Sequence, residues 1–155
     1  MSTTKNYWLI KSEATCYSID DLARDKVAPW TGIRNFQARN YIRDGMRPGD
    51  RALFYHSSGT PTAPSGVYGI AEVVSEPYLD PTALDVRDEH YDPKGADWVA
   101  VDMKFVSKLD RPVTLADIKK DPLLRKMLVA KQGQRLSVMP VTKEEFEGVV
   151  GRWEK

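Results

Sequence analysis

PWTGIRNFQARNYIR, residues 29–43, sets a tryptophan beside a Thr-Gly turn and follows it with a segment dense in amides and guanidinium groups. Pro29 is expected to end regular structure before Trp30, which places that ring on a loop, and Gly32 frees the backbone to turn. From about Arg34 to Asp44 the spacing predicts a helix. Projected at about 100° per residue, Ala38, Tyr41, Ile42, Gly45 and Met46 fall on one side as a core face. Phe36, Arg39 and Arg43 share the opposite side. Phe36, an aromatic among arginines, is expected to pack under the N-terminal loop, with direct stacking as the alternative. A flat ring beside amides and guanidinium groups suits holding a planar heterocycle and its phosphates rather than making or breaking bonds.

Outward from this stretch, residues 7–11 (YWLIK) read as a short buried strand. Ser18, with Asp21 three residues on, opens a helix. Residues 51–56 and 66–75 read as further strands, separated by a turn-rich loop over 57–65. Gly66 and Gly69 inside the second of these mark a bulge or a close approach by another chain segment. Residues 76–97 are expected to form an irregular excursion with one helical turn near Thr82–Asp85. In residues 98–109, Val99, Val101, Met103 and Phe105 alternate with Ala100, Asp102 and Lys104, the clearest strand pattern in the chain. Trp98 falls on its polar face, as a lid over a small cluster or as a pocket wall. Thr114 with Asp117 caps one helix, Pro122 can start another through LLRKMLVA, and Thr142 with Glu145 opens a terminal helix. This order of elements predicts an α+β fold whose antiparallel sheet curls into a small barrel decorated with helices.

The 155 residues fit one domain, 1–155, with 41% hydrophobic and 29% charged side chains. No apolar run approaches the roughly 20 residues of a membrane helix, and the N-terminus carries no secretory pattern. The single cysteine, Cys16, fits a reducing, intracellular compartment. A formal net charge of +1 argues against coating nucleic acid non-specifically, yet permits a local basic face around one pocket. The two histidines, His56 and His90, and the lone cysteine have no zinc spacing, and neither a metal nor a cofactor is expected. Catalytic parts are few. Cys16 has no basic signature nearby, His56 and Ser57 point to opposite sides of a strand, and no phosphate-cradling glycine loop is present.

YWLIKSE, WTGIRNFQARNYIR, FYHSS, GVYGIAEVV, HYDPK, WVAVDMKFV and RLSVMPVTKEEF occur in this order across nearly the whole chain. Together they resemble the EVE domain, and the resemblance implies a PUA-like fold related to YTH and ASCH domains. It also implies a partner, nucleic acid (DNA or RNA) with a modified base, held without catalysis in an aromatic-walled pocket with a basic rim. By that resemblance Trp30 is the first wall and Trp98 the second. Lys11, Ser12, Thr31, Asn35, Gln37, His56, Ser57, Leu136 and Ser137 complete the base-contacting set. Arg34, Arg39, Arg43 and Arg135 are the phosphate-binding set. Three positions depart from the family pattern: Ala14 stands where a proline is common, Thr31 where an acidic residue is frequent, and Met139 in place of a glutamine. The alternatives at this stage are an enzyme acting on RNA or nucleotides and a small-molecule-binding module using the same pocket.

Overall fold

The computed structural model describes residues 5–57, 59–94, 97–131 and 136–151. Their backbone builds one sheet of seven strands with four α-helices around it, an α+β fold. Along the sheet the order is β2 (Val27–Trp30), β6 (Val99–Thr114), β4 (Gly66–Val73), β3 (Arg51–Ser57), β1 (Tyr7–Glu13) and β7 (Val138–Val141). The two-residue strand β5 (Tyr78–Leu79) adds to the start of β6. The expected sheet was antiparallel and curled into a small barrel. The observed one is mixed, because β1 and β3 run parallel from Tyr7↔Arg51 to Glu13↔Ser57, and its strand path does not close on itself. The parallel pair arises because the connection between β1 and β3 carries α1, β2 and α2, long enough for a crossover.

Both faces of β1 and β3 are covered, so their buried residues run consecutively rather than alternating. Trp8, Leu9 and Ile10 on one strand, and Ala52 to His56 on the other, are all buried. Trp8 carries a polar atom into this core and satisfies it, since its Nε1 donates to Asp50 Oδ2 at 3.0 Å. α1 (Ile19–Asp25) starts on the expected Ser18–Asp21 capping box and seats Ile19 and Leu22 in the core. α2 (Phe36–Asp44) buries Ala38 and Ile42, as the wheel requires, and leaves Phe36, Arg39 and Arg43 outward. α3 (Leu115–Lys120) and α4 (Lys143–Gly151) begin at Thr114 and Thr142, each accepting from the backbone three residues on.

Three expectations are corrected. Pro29 does not end regular structure, because β2 is an edge strand with Pro29 opposite Asp102, and an edge tolerates a residue without an N–H donor. Trp30 consequently closes a strand rather than riding on a loop. LLRKMLVA forms two short 3₁₀ turns, Leu124–Lys126 and Leu128–Ala130, in place of one helix.

Gly69 has the close approach expected of a glycine inside a strand. A Cβ there would stand 2.5 Å from Ile19 Cγ1 and 2.7 Å from the Ser107 carbonyl oxygen. One neighbour is a core side chain and the other is backbone, so neither yields cheaply. Gly69→Ala should therefore lower stability by about 1–3 kcal/mol, read as a lower urea midpoint with an unchanged slope.

Candidate functional site

Between the end of β1, α1 and the segment leaving β2 lies a cavity of about 610 Å³. That size is within the range of roughly 300–1,000 Å³ typical of small-molecule pockets. Lys11, Ser12, Trp30, Thr31 and Ser137 line it, together with Tyr17, Asp25, Ile33 and His90. Both ends of the sheet path contribute: β1 brings Lys11 and Ser12, the lead into its neighbour β7 brings Ser137, whose carbonyl accepts from the Lys11 N–H at 2.9 Å, and β2 at the opposite end brings Trp30.

Trp30 is only 8% exposed. Its ring meets Phe54 edge-on at 5.4 Å and Tyr17 edge-on at 6.2 Å, so Tyr17 and Trp30 form an aromatic corner. The Tyr17 phenol donates to Asp25 Oδ2 at 2.7 Å. Burial, and then this hydrogen bond to a carboxylate, push its pKa above the ordinary value, so the phenol stays protonated. Ser12 Oγ donates to the Tyr17 carbonyl at 2.6 Å and ties strand to turn. Burial lowers the pKa of Lys11, whose Nζ stands 5.8 Å from the Tyr55 ring centre. The Asp25 carboxyl is held below its usual range by hydrogen bonds from Arg24 and then Tyr17.

The outer wall is set from a distance. Asp80, at the end of β5, is 1% exposed, and its carboxylate accepts from the Gly32 N–H at 2.8 Å and from Arg34 Nη1 at 3.1 Å. Thr82 donates to its other oxygen through both N–H and Oγ1. Burial alone would raise the Asp80 pKa; the donors from Thr82, Gly32 and Arg34 outweigh that and leave it below 3.8. Arg34 also donates twice to the His90 carbonyl, at 3.0 and 2.7 Å. Gly32 has φ +80°, and a Cβ on it would lie 3.0 Å from His90 Nε2. Only glycine meets both conditions.

Several residues expected at the site have other work. Arg34 is spent on Asp80, Thr82, Ile33 and His90, so it positions the wall rather than binding phosphate. Asn35 caps α2, its side chain accepting from the Ala38 N–H. Gln37 donates to the Tyr41 hydroxyl, and Leu136 lies in the core. Trp98 does not line the cavity: its Nε1 donates to Asp92 Oδ2 at 2.6 Å and its ring stacks on Phe36. His56 and Ser57 face a second cavity, of about 480 Å³, on the far side of the Glu13–Ser18 turn. His56 Nε2 accepts from the Ile19 N–H at 3.1 Å and the ring stacks on Tyr68, while burial lowers its pKa, so the neutral imidazole pins α1 to β3. Among the described residues Arg39 hydrogen-bonds only Asn40, and Arg43 pairs with Asp44. Arg135 lies outside the described residues. Tyr17, Asp25 and His90 were not foreseen; the available signal for His90 was its place in the HYDPK motif. Among the described residues no cluster of three or more His, Cys, Asp or Glu could hold a metal ion, and no helix is long and apolar enough to cross a membrane.

The fold is an open α+β sheet with a cavity beside a buried tryptophan, and residues 6–152 match the EVE domain: the chain belongs to that family. Human thymocyte nuclear protein 1 is 35% identical over 99% of this chain and 80% of its own length. Among solved structures, a hypothetical protein from Leishmania major superposes with a TM-score of 0.89 at 45% identity, covering 97% of this chain and 96% of that one. The human THYN1 protein, crystallised in complex with 5-methylcytosine-containing DNA, superposes with a TM-score of 0.86 at 34% identity, covering 97% and 99%. An ASCH protein from Zymomonas mobilis, at 14% identity and a TM-score of 0.55 over 95% of this chain and 98% of that one, shares the fold.

Removing one partner of a buried ion pair strands the other, so Asp80→Ala should cost about 3–5 kcal/mol in chemical denaturation. Because the folded-state pKa of Asp80 is depressed, its contribution is complete at neutral pH and is lost as pH falls through and below the ordinary carboxylate value of 3.8. Wild type should therefore lose stability in acid more steeply than Asp80→Asn, as monitored by thermal melts between neutral and acidic pH.

Proposed function

We propose that this protein binds DNA carrying a modified base and admits that base, turned out of the stack, into the cavity beside Trp30. The observation that carries the reading is the likeness, over 97% of the chain, to a human protein crystallised with 5-methylcytosine-containing DNA. The cavity's chemistry supports it. Tyr17 and Trp30 offer an apolar corner for a ring and its methyl group, while Lys11, Ser12, Thr31, Asp25 and Ser137 offer donors and acceptors for a base edge. Extrusion of a base costs a few kcal/mol, which aromatic contact at roughly 1–3 kcal/mol per base and edge hydrogen bonds offset. No step of covalent chemistry enters. The groups lining the cavity are those of recognition, and the Tyr17 phenol, kept protonated and donating to Asp25, leaves its oxygen lone pairs as an acceptor.

The departure at Thr31 lies in this cavity and that at Met139 does not, since Met139 is buried in β7 opposite Leu9. A hydroxyl at Thr31 in place of a carboxylate leaves Asp25 and Glu89 as the acidic side chains on the lining. The base preference is therefore set on the Lys11–Tyr17–Thr31 side of the cavity.

Fluorescence titration with duplexes that differ only in one 5-methylcytosine tests the reading. Wild type should bind the modified duplex more tightly, and Tyr17→Ala should lose about tenfold of that affinity with the fold retained. Equal binding of modified and unmodified duplexes would overturn it. Trp30→Ala is the weaker probe, because a ring packed on Phe54 contributes about 3–5 kcal/mol to stability as well.

A further inference from the structure

Among the described residues, Phe36 is the most exposed aromatic side chain, at 59%. It does not pack under the N-terminal loop. It opens α2 directly after the Asn35 cap, and its ring lies on Trp98 at 4.9 Å and 22° from parallel. Trp98 is buried and fixed by its bond to Asp92, so Phe36 rests on a rigid support. Two guanidinium groups flank the pair: Arg39 lies 4.9 Å from the Phe36 ring centre and 5.7 Å from that of Trp98, and Arg34 lies 5.4 Å from that of Trp98. A solvent-exposed ring braced from behind is pre-organised for stacking, since little side-chain entropy remains to be lost on contact.

Its position relative to the cavity is set by the chain. Gly32 and Ile33 line the cavity, Arg34 joins the cavity residue His90 to Trp98, and Phe36 follows two residues later. The charge around it selects the occupant. Arg39 forms no ion pair among the described residues and hydrogen-bonds only a neutral amide oxygen, and the first turn of α2 carries no carboxylate. An apolar protein surface on this site would desolvate that guanidinium without compensation. A nucleotide supplies both a ring for Phe36 and a phosphate for Arg39.

We propose that Phe36 and Arg39 form a platform that stacks the nucleotide adjacent to the base held in the cavity. This rests on the DNA-binding reading above and adds to it a second contact outside the cavity. The test measures anisotropy of labelled duplexes carrying one 5-methylcytosine in one strand, that strand either intact or with an abasic site on the 5′ or the 3′ side of the modified base. Phe36→Ala should weaken binding of the intact strand about tenfold, and Phe36→Tyr should restore it. One of the two abasic strands should bind wild type and Phe36→Ala alike. The ratio of modified to unmodified affinity should stay unchanged in Phe36→Ala, because that choice is made in the cavity. Arg39→Ala should shallow the dependence of log K on log salt by about 0.7–0.9. Equal binding of the intact strand by wild type and Phe36→Ala overturns the platform alone. So does a loss of the same size on both abasic strands, which would mean that Phe36 only braces Trp98 and α2. Wild type that binds none of the strands overturns the DNA-binding reading, and the platform with it.

Discussion

The Arg34–Asp80 pair is the constraint on which the candidate site depends. Asp80 has no exposed side-chain surface and Arg34 about a quarter, so each charge requires the other. Asp80 gathers the Gly32 N–H and Arg34 on one oxygen and Thr82 on the other. Arg34 reaches on to the His90 carbonyl. One buried carboxylate thereby clamps the 78–92 excursion onto the turn that leaves β2. That clamp puts His90 against Gly32 and holds Thr31 and Ile33 at the cavity. It also fixes the end of the excursion near Asp92, where Trp98 and then Phe36 take their places. Without the clamp, the outer wall would be a long connection with little burial of its own.

The distribution of charge separates structural cations from those able to meet a polyanion. The net charge is +1, and among the described residues four arginines besides Arg34 stand in ion pairs: Arg24 with Asp21 and Asp25, Arg43 with Asp44, Arg51 with Glu72, Arg87 with Asp85. Exposed pairs of this kind contribute little to stability, at about 0–1 kcal/mol. Their larger effect is to keep the surface from acting as a general trap for phosphate. On the DNA-binding reading proposed above, Lys11 inside the cavity and Arg39 beside Phe36 make the specific contacts. Selectivity through a cavity, rather than strong generic attraction, is consistent with that balance.

Much of this architecture was legible along the chain. β1, β3, β4 and the first part of β6 announced themselves by apolar runs or alternation, and α1, α3 and α4 by caps that close within three residues. The wheel correctly separated Ile42 from Arg39. These signals are local, and period and capping act over a few residues. Of the site, Lys11, Ser12, Trp30, Thr31 and Ser137 were foreseen and do line one cavity, while His56, Ser57 and Trp98 were foreseen and lie elsewhere. The role of His56 depends on a backbone N–H 37 residues away, and that of Trp98 on stacking across from another element.

What the sequence determined alone was most of the strands, the four α-helices with their core faces, and the family, since these follow from short-range pattern and motif; the edge strand β2 and the 3₁₀ turns over 124–130 were not among them. Tertiary structure decided which polar groups were available. Arg34 is indistinguishable from Arg39 as a residue, yet a carboxylate 46 positions away engages the first, and among the described residues only a neutral amide neighbour accepts from the second. Pro29 looks like a terminator until an edge position removes the need for its missing N–H. Hydrogen-bond and charge pairing are settled by proximity in space, and proximity between distant residues exists only once the sheet has formed.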